Sequence, residues 1–458
     1  MKSVALHNLG CKVNSYELDV MQQFLQKSGY EIVSFNQKAD IYIINTCTVT
    51  NIADRKSRQM IHRAKKRNPD AIVVAVGCYV QTAKEQIESD PCIDLAIGNN
   101  RKKQIVELVE EFLEKREQAD AKTLSGKTIT DIACEKEYEE MRLSHTAEHT
   151  RAYIKIQDGC NQFCSYCVIP YARGRVRSRR AEDVLAEITG LVQAGYKEVV
   201  LTGIHLSSYG LDFRGESYNA NREAEGCSDA SDELLSLIKK IHDVDGITRI
   251  RLGSLEPRIV TEGFAKALSE MPKICPHFHL SLQSGSDSVL ERMNRRYTCG
   301  QFADGVEILR RYFNNPAITT DVITGFPGET EEEFGETVRF LEKIKFFEMH
   351  VFPYSKREGT VAAKMQGQLT EQEKKIRSSR LLEMDRHHSL EYRKQHIGKE
   401  MSVLFEQEQE IDGVLYQVGH TQNYIKVALC AEEDVTNCEI MCTLTDMLDE
   451  ETVFAQKN

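Results

Sequence analysis

The sequence predicts an α/β protein in three parts: an N-terminal parallel α/β domain in residues 1–113, a central partial (βα)6 barrel in residues 146–376 and a small C-terminal β-barrel in residues 379–456. Two patterns support this prediction. Short apolar runs alternate with charged helical segments through the first two parts, and short strands separated by turns fill the last part. With 458 residues, of which 41% are hydrophobic, the chain can bury a core in each part.

The N-terminal part contains four short apolar runs, each followed by a charged helical pattern. The runs are residues 4–6, 41–44, 72–76 and 95–97. This alternation is typical of a parallel sheet covered by helices. Residues 114–145 follow, and they are rich in charge and poor in periodic apolar residues. We therefore expect a linker there.

Three cysteines, Cys11, Cys47 and Cys78, each come directly after one of the first three predicted strands. The C-terminal ends of parallel strands line one crevice in which ligands bind, so these cysteines are expected to meet there. A single cysteine in such a position could be an ordinary buried residue. Three equivalent positions favour a metal site, because Gly10 and Gly77 beside two of them let the backbone approach a ligand closely. Three thiolates would leave one iron of a 4Fe-4S cluster without a protein ligand.

A second set of cysteines, Cys160, Cys164 and Cys167, forms a CxxxCxxC run after the strand predicted near Tyr153. This compact loop also supplies only three thiolates, so one iron of a cluster would stay free to bind a small chelating molecule. Structural zinc is less favoured, because zinc sites usually combine two CxxC or Cys/His pairs and the nearest upstream histidine is His149. A disulfide framework is also less favoured, because 14 cysteines are spread over 458 residues without a predicted secretory signal.

The central part repeats a strand-then-helix pattern, with strands predicted near residues 153, 199, 248, 277, 318 and 348. Barrels of this kind place their chemistry on the loops that follow the strands. Five such loops are rich in Gly, Ser and charged residues: 202–205, 251–257, 281–285, 324–329 and 353–355. We therefore expect the active site at the C-terminal ends of these strands.

Together, these cysteines and loops resemble the radical SAM methylthiotransferase family, and the resemblance covers nearly the whole chain. Residues 158–160 and 172–179 are most similar to the branch that acts on N6-threonylcarbamoyladenosine beside the tRNA anticodon. The resemblance implies that the central barrel is a radical SAM core and that the C-terminal barrel is TRAM-like and binds tRNA. It also implies that the protein inserts a methylthio group at C2 of this modified adenosine.

Other functions stay open at this point. The methylthio acceptor could instead be an isopentenyl-adenosine in tRNA or an aspartate of a ribosomal protein. A different class is an RNA-binding iron-sulfur protein or a sulfur carrier without turnover, for which the N-terminal cysteines alone would suffice. The polar loops of the central barrel argue against that class.

The resemblance further implies two 4Fe-4S clusters and S-adenosylmethionine (SAM) as cofactors. A catalytic cluster on Cys160, Cys164 and Cys167 would chelate SAM, and a second cluster on Cys11, Cys47 and Cys78 would supply sulfur. Six other residues are expected to line the SAM pocket: Tyr166, Gly203, Ser254, Glu256, Gln283 and Gly325. Each of them could equally be a turn or core position, because the ends of barrel strands need Gly and polar residues anyway.

The expected partners are tRNA, SAM, an electron donor and a sulfur donor. The net charge of -11 is concentrated at the end of the chain, since residues 398–458 carry three Lys and thirteen Asp or Glu. Two basic stretches, 55–67 and 173–180, are therefore the candidates for phosphate contacts.

The acidic C-terminal barrel is in doubt as a general phosphate clamp, because small barrels of this type grip nucleic acid through positive charge. His420, Asn423, Tyr424 and Lys426 are its candidates for local RNA contacts. No stretch of the chain approaches the roughly 20 apolar residues of a membrane span. We therefore expect a cytoplasmic protein with no membrane partner.

Overall fold

This computed structural model describes residues 2–118, 126–144, 150–214, 227–430 and 433–458. Within these ranges the chain forms a parallel α/β domain, a partial (βα) barrel and a closed β-barrel, in that order. The predicted fold class is therefore confirmed. Residues 119–125 and 145 of the predicted linker lie outside the described residues.

The N-terminal domain is built on a parallel sheet. Its elements are, in chain order, β1 (Ser3–Asn8), α1 (Lys12–Lys27), β2 (Glu31–Val33), β3 (Ile41–Thr46), α2 (Asn51–Arg67), β4 (Ile72–Gly77), α3 (Cys78–Thr82), α4 (Lys84–Ser89), β5 (Leu95–Ile97), α5 (Ile105–Gln118) and β6 (Gly126–Thr128). The strands are ordered β2-β1-β3-β4-β5-β6. β3 and β4 are buried along their whole length, as expected for central strands that helices cover on both faces. Because β1, β3 and β4 are neighbours, their C-terminal ends lie side by side.

The segment predicted as a linker is structured in its described part. β6 adds to the sheet by pairing with β5, and Met141 and Leu143 are buried in the core. The Tyr16 hydroxyl of α1 donates a hydrogen bond of 2.5 Å to the Met141 carbonyl oxygen. The segment lacks apolar periodicity because residues 129–144 pack largely as irregular chain rather than as a long amphipathic element.

The central part contains six parallel strands among the described residues. Its elements are β7 (Arg151–Asp158), α6 (Ile169–Arg173), β8 (Arg177–Ser178), α7 (Ala181–Gln193), β9 (Glu198–Gly203), α8 (Cys227–His242), β10 (Arg249–Leu252), α9 (Glu262–Ser269), β11 (His277–His279), α10 (Asp287–Arg292), α11 (Cys299–Tyr312), β12 (Ala317–Thr324), α12 (Glu331–Ile344) and β13 (Glu348–Pro353). β7, β9 and β10 pair in parallel, β11, β12 and β13 do the same, and two bridges join the halves. In the part of the chain that is described, no pairing joins β13 to β7, so the barrel is partial.

Alternate residues of the barrel strands face opposite sides. Ile250, Phe278 and Val322 join the apolar core that includes residues of the surrounding helices. Arg251 and Asp321, which are next to Ile250 and Val322 in sequence, therefore face the inside of the barrel. The barrel interior is thus lined with charged side chains.

A long helix, α13 (Glu371–Lys394), connects the central barrel to the C-terminal barrel. It begins with a capping box formed by Thr370 and Glu373 and continues through residues 376–379, where we expected a domain boundary. The two barrels are therefore joined by a continuous helix. None of the described helices, α13 included, combines the length and apolar character needed to cross a membrane.

The C-terminal barrel consists of five described strands: β14 (Glu400–Ile411), β15 (Val414–Thr421), β16 (Lys426–Leu429), β17 (Glu439–Met447) and β18 (Thr452–Lys457). They close in the order β14-β15-β16-β18-β17. The first three overlap the strands that the sequence predicts at residues 402–406, 413–418 and 425–429. β17 and β18 were not predicted; in β17, Glu439 and Asp446 interrupt the apolar residues.

This small barrel closes the N-terminal end of the central barrel. Arg249, the first residue of β10, donates to the carbonyl oxygens of His420 at 2.8 Å and Ser402 at 2.9 Å. Arg151, the first residue of β7, forms an ion pair of 2.7 Å with Glu406. A substrate must therefore approach the barrel from its other, C-terminal end or from its open side.

Candidate active site

The three N-terminal cysteines meet at one edge of the sheet. Cys11 follows β1 and caps α1, Cys47 follows β3, and Cys78 directly follows β4 as the first residue of α3. Burial, together with the nearby thiols of Cys78 and Cys11, raises the pKa of Cys47 to about 12. The structure thus brings together three cysteines that are far apart in sequence.

Two glycines allow this close approach. Gly10 has a φ of +112°, and a Cβ atom there would lie 3.0 Å from Cβ and 3.1 Å from Sγ of Cys47. Gly77 has a φ of +99°, and a Cβ atom there would lie 2.6 Å from Oδ1 of Asn45. Because a left-handed backbone conformation coincides with close contacts at both positions, neither position can take a larger residue without strain.

Replacing Gly10 with alanine is expected to prevent assembly of a cluster at the N-terminal cysteines, because the new Cβ atom would push the Cys11 loop away from Cys47. After anaerobic reconstitution, iron analysis should show a decrease from about eight to about four iron atoms per chain. Gly29→Ala is the matched control, since Gly29 also has a positive φ, +85°, but nothing lies within 4 Å of a Cβ there. A Gly10→Ala protein with its full iron content would contradict this expectation.

The spacing of the cysteines fits a cluster better than a single zinc ion. Zn–S bonds are about 2.3 Å long and tetrahedral, which places the sulfur atoms around one zinc ion about 3.8 Å apart. Among the described residues, neither cysteine triplet has all its sulfur atoms within 4.8 Å of one another. A larger metal cluster would accommodate this wider spacing, and iron binding would displace the proton of a thiol whose pKa burial has raised.

The CxxxCxxC loop leaves β7 through a glycine. Gly159 has a φ of +72°, and a Cβ atom there would lie 1.8 Å from the carbonyl oxygen of Arg175. The next residue, Cys160, donates its N–H to the carbonyl oxygen of Gly174 at 3.0 Å. The loop is therefore closed by backbone contacts that require glycine at its start.

Residues from the end of α10 hold the other side of the loop. Nη1 of Arg295 donates to Sγ of Cys164 at 3.3 Å, and the Ser165 hydroxyl donates to the carbonyl oxygen of Arg292 at 2.8 Å. Burial raises the pKa of Cys160 and, with the neighbouring Cys164, raises the pKa of Cys167 to about 12. A guanidinium group at this position stabilises the negative charge that metal binding leaves on the sulfur atoms.

Arg295 and the buried network around it were not predicted from the sequence. Nε of Arg295 donates to the Tyr297 hydroxyl at 2.9 Å. Nearby, Oε2 of Glu256 accepts from Nη2 of Arg258 at 3.0 Å and lies 3.7 Å from Nε2 of His205. The sequence contained a signal for both residues. Arg295 belongs to the cationic run 292–296, and His205 belongs to the loop 202–205, which was already expected near the active site.

Three of the predicted SAM-pocket residues lie around this network or the cysteine loop. Tyr166 packs against the apolar cluster that contains Met293 and Phe326. Glu256 is buried within the network, and Ser254 is exposed just after β10. Tyr166 thus lies in the loop itself, and Glu256 is connected to it through Arg295, which contacts Cys164.

The other three predicted SAM-pocket residues have packing reasons of their own. Gln283 has a φ of +73°, and its N–H donates to a β12 carbonyl oxygen at 2.8 Å. A Cβ atom on Gly203 would lie 2.9 Å from Oε1 of Gln157, and one on Gly325 would lie 2.3 Å from Cγ of Lys374 in α13. SAM contacts for these residues stay predictions.

The two cysteine sites lie on either side of α6. Nδ2 of Asn99 is 3.6 Å from Sγ of Cys78 and donates to the carbonyl oxygen of Ala172 at 2.7 Å. Ala172 belongs to α6, the helix that directly follows the CxxxCxxC loop. Asn99 therefore connects the N-terminal cysteine site to the central one.

The N-terminal cysteine site is accessible from one side. Cys11 and Lys12, at the amino end of α1, are exposed, whereas Cys47 and Cys78 are buried. A ligand can therefore reach this site from the side of Cys11.

Most of the arginines that follow the CxxxCxxC loop do not contact phosphate. Arg173, Arg177 and Arg179 are buried, so the prediction is wrong for these three. Their charges are balanced by carboxylates from other elements: Glu17, Glu140, Asp158 and Glu187. Arg175 and Arg180 are exposed.

The RNA contacts predicted in the C-terminal barrel are also largely internal. The Tyr424 ring stacks between His277, at 4.9 Å, and His420, at 4.7 Å. Nδ2 of Asn423 is buried and donates to the Tyr392 hydroxyl at 3.0 Å. The prediction is therefore wrong for the buried Asn423. His420, Tyr424 and Lys426 are half-buried and line a cleft of about 590 Å³, so their RNA contacts stay predictions.

Comparisons with known proteins identify the family. Residues 3–98 match a family described as Uncharacterized protein family UPF0004, and residues 154–341 match the Radical SAM superfamily. The threonylcarbamoyladenosine tRNA methylthiotransferase MtaB of Bacillus subtilis (strain 168) is 42% identical over 95% of this chain and 92% of its own length. The chain belongs to the radical SAM methylthiotransferase family. As a member, this methylthiotransferase is an enzyme that uses SAM and 4Fe-4S clusters, so the predicted family and cofactors are confirmed.

Two further comparisons bear on the substrate and the fold of this methylthiotransferase. A tRNA-2-methylthio-N(6)-dimethylallyladenosine synthase of Carboxydothermus hydrogenoformans is 33% identical over 97% of each chain. The solved structure of the radical S-adenosylmethionine methyltransferase TsrM from Kitasatospora setae, with cobalamin and a [4Fe-4S] cluster bound, has a TM-score of 0.53 and 17% identity. The structural match covers 77% of this chain and 75% of the TsrM chain. At this identity the match supports the fold alone.

Proposed function

We propose that this methylthiotransferase inserts a methylthio group at C2 of N6-threonylcarbamoyladenosine beside the anticodon of tRNA. The position of the two three-cysteine sites on either side of α6, where Asn99 connects them, carries the proposal. The reaction needs a radical source and a sulfur source at the same substrate atom. The higher identity to the threonylcarbamoyladenosine relative, 42% against 33%, favours this nucleoside over the isopentenyl type.

Cys160, Cys164 and Cys167 hold the catalytic 4Fe-4S cluster in this proposal. When bound, it would supply the electron for cleavage of SAM into methionine and a 5'-deoxyadenosyl radical, and that radical could remove the hydrogen from C2 of adenine. Arg295 contacts Cys164 and would balance charge at the sulfur. In this proposal the buried Glu256 accepts hydrogen bonds from the ribose hydroxyl groups of SAM.

In this proposal Cys11, Cys47 and Cys78 would hold the second cluster, which would supply the sulfur to be transferred. A methyl group from a second SAM completes the methylthio group. A reductant of low potential and a sulfur donor are required for repeated turnover. The proposed SAM pocket is completed by Tyr166, Gly203, Ser254, Gln283 and Gly325.

The exposed basic face of α2 is the proposed surface for the tRNA backbone. Its exposed cations are Arg55, Lys56, Arg58, Arg63 and Lys66. The amino end of α2 contacts the loop after β13, where the Asn51 N–H donates to the Ser355 hydroxyl at 3.0 Å. The helix thus extends from the C-terminal end of the barrel, where a tRNA loop would enter.

Reversing two charges on this face, Arg63→Glu with Lys66→Glu, is expected to weaken tRNA binding about 10- to 100-fold at low salt. The slope of log K against log salt should fall by about two, because two phosphate contacts are lost. Equilibrium binding across a salt series measures both quantities. The control, Lys103→Glu with Lys115→Glu, changes the net charge equally at exposed positions on another surface. Equal effects of the two double variants would argue against an α2 contact.

Mass spectrometry of tRNA nucleosides tests the proposed function directly. Cells that lack this chain should accumulate N6-threonylcarbamoyladenosine, and re-expression should convert it to the 2-methylthio form. Conversion of isopentenyl-adenosine instead would assign the other tRNA substrate. No change in any tRNA nucleoside, together with a methylthiolated ribosomal-protein aspartate, would move the enzyme to a protein substrate.

A further inference from the structure

One loop of the central barrel contacts both cysteine sites. This loop, residues 355–362, follows β13 and is called the spanning loop below. At its far end, the N–H of Ala362 donates to the carbonyl oxygen of Ser165 at 2.8 Å. Ser165 lies between Cys164 and Cys167 in the CxxxCxxC loop. The spanning loop is therefore attached to the central cysteine site.

Arg357 attaches the spanning loop to the N-terminal cysteine site. Its Nη2 donates to Oγ1 of Thr48 at 2.7 Å, and Thr48 directly follows Cys47. Its Nη1 lies 2.6 Å from Oδ1 of Asn51 and 2.7 Å from Oδ2 of Asp54, both at the amino end of α2. The Arg357 side chain is buried. A buried guanidinium with three partners, one of them charged, holds those partners in one geometry.

Thr48 extends this contact to a second cysteine. Its hydroxyl oxygen lies 3.2 Å from that of Thr82, and the Thr82 hydroxyl donates to the carbonyl oxygen of Cys78 at 3.0 Å. Because Oγ1 of Thr48 accepts from Arg357, the Thr48 hydroxyl can donate its own proton to Thr82. The residues that carry Cys47 and Cys78 are thus linked to the barrel through one buried hydroxyl group.

Helix α2 holds the same turn from its other side. The Ser57 hydroxyl donates to the carbonyl oxygen of Cys47 at 3.1 Å and accepts the Cys47 N–H at 3.3 Å. Since Arg357 holds the amino end of this helix, it acts on Cys47 by two routes, directly through Thr48 and indirectly through α2.

We propose that Arg357 is a positioning residue, which fixes the N-terminal cysteine site relative to the CxxxCxxC loop. The inference rests on the proposed function, in which one site supplies sulfur and the other supplies the radical. A misplacement of about 1 Å between reacting groups can cost about 100-fold in rate. Loss of the Arg357 contacts would therefore let SAM cleavage continue while sulfur transfer fails.

Thr48→Val and Thr48→Ser test the inference as a matched pair. Valine has nearly the shape of threonine but cannot hydrogen-bond to Arg357 or Thr82, whereas serine keeps the hydroxyl group. Both variants are prepared as reconstituted full-length enzyme and turned over anaerobically with a stem-loop RNA that carries N6-threonylcarbamoyladenosine. Methylthio-nucleoside and 5'-deoxyadenosine are quantified in the same samples.

Thr48→Val should lower the ratio of methylthio-nucleoside to 5'-deoxyadenosine about 10-fold, and Thr48→Ser should keep it within about 3-fold of the wild type. The rate of 5'-deoxyadenosine formation should be unchanged in both variants. Iron content should stay at about eight atoms per chain, because no cysteine is altered.

Arg357→Met extends the test to the guanidinium group, and Lys356→Met is its control. Lys356 is the adjacent cation of the spanning loop, and its side chain is exposed. Arg357→Met should lower the product ratio at least as much as Thr48→Val does, whereas Lys356→Met should leave it at the wild-type value.

Hydrogen–deuterium exchange gives a readout that needs no substrate. In Thr48→Val and Arg357→Met, peptides that cover residues 47–57 and 355–362 should exchange faster than in the wild type. In Thr48→Ser and Lys356→Met they should exchange at the wild-type rate. Equal exchange in the valine and serine variants would contradict a fixing role for the Thr48 hydroxyl and overturn the inference.

A Thr48→Val variant with the wild-type product ratio also overturns the inference. So does a parallel loss of both products or a fall to about four iron atoms per chain, because either would assign Thr48 to general stability or to cluster assembly. The Thr48 pair decides the question even if Arg357→Met does not fold. Failure of the wild type to methylthiolate this RNA would instead refute the proposed function, and the exchange comparison would still show whether Arg357 and Thr48 hold the Cys47 turn.

Discussion

Cys164→Ala is expected to abolish formation of 5'-deoxyadenosine, whereas Cys47→Ala is expected to retain SAM cleavage and lose sulfur insertion. The reason is the separation of the two cysteine sites: Cys164 lies in the loop after β7, and Cys47 lies in the other domain, after β3. Each variant removes one of three ligands from one cluster. Iron content should therefore fall from about eight to about four atoms per chain in both variants, so iron loss alone cannot explain a difference in activity.

The measurement is anaerobic turnover with dithionite, in which 5'-deoxyadenosine and methylthio-nucleoside are quantified in the same samples. In Cys164→Ala both products should fall to background. In Cys47→Ala only the methylthio product should do so. Cys134→Ala is the matched control, because Cys134 is an exposed cysteine outside both triplets. Equal loss of both products in the Cys47 variant would contradict the division of labour between the sites.

The N-terminal site could be predicted because a general rule of parallel sheets connects sequence to position. Cys11, Cys47 and Cys78 each follow a strand, and the C-terminal ends of neighbouring strands necessarily converge. The prediction needed no knowledge of side-chain contacts. The same holds for the CxxxCxxC loop, whose three cysteines are close in sequence.

The arginines were mispredicted because a charge pattern does not reveal the partner of a charge. The run from Arg173 to Arg180 could serve phosphates on the surface or carboxylates inside the protein. Glu17, which pairs with Arg173, is 156 residues away in sequence. Long-range pairing of this kind leaves no local signal, and the same reason explains why Arg295, beside Cys164, was overlooked.

The C-terminal barrel shows the same limit for aromatic residues. Tyr424 was one of four candidates for local RNA contacts in this TRAM-like barrel. In the structure its ring lies 4.7 Å from the Arg251 guanidinium and stacks on His277 at the base of the central barrel. The alternation of apolar residues predicted three of the five described strands of this small barrel. Only the packing of the two barrels shows which face of the turn between β15 and β16 is covered.

Arg173→Met is expected to destabilise the protein by about 3–5 kcal/mol, because it leaves buried carboxylates without their principal partner. The Arg173 guanidinium donates to Oε1 of Glu17 at 2.8 Å, to both oxygens of Asp158 at 3.1 Å and to Oδ1 of Asn14 at 2.7 Å. Glu17 and Asn14 belong to α1, which begins directly after Cys11, and Asp158 lies two residues before Cys160. The arginine therefore joins the two domains and braces both cysteine sites.

Urea unfolding at several pH values measures this effect. Although burial opposes it, Arg173 and the nearby lysines hold the pKa of Glu17 well below its usual range, and they lower that of Asp158 as well. Groups with a depressed folded-state pKa stabilise the protein above their unfolded pKa, about 4, and lose that contribution as the pH falls through the folded value. The difference between wild type and variant should thus be complete at neutral pH and shrink below about pH 4.

Arg175→Met provides the control for the same substitution two residues away, at an exposed position. It should change the unfolding free energy by less than about 0.5 kcal/mol, as is usual for surface substitutions.

The Arg173 variant should also lose methylthio product more severely than 5'-deoxyadenosine. Weaker docking of the two domains would separate the sulfur site from the radical site, whereas the CxxxCxxC loop would keep its own backbone contacts. Equal stability of the two variants would show that the remaining cations, Lys102, Lys155 and Arg177, suffice for the buried carboxylates.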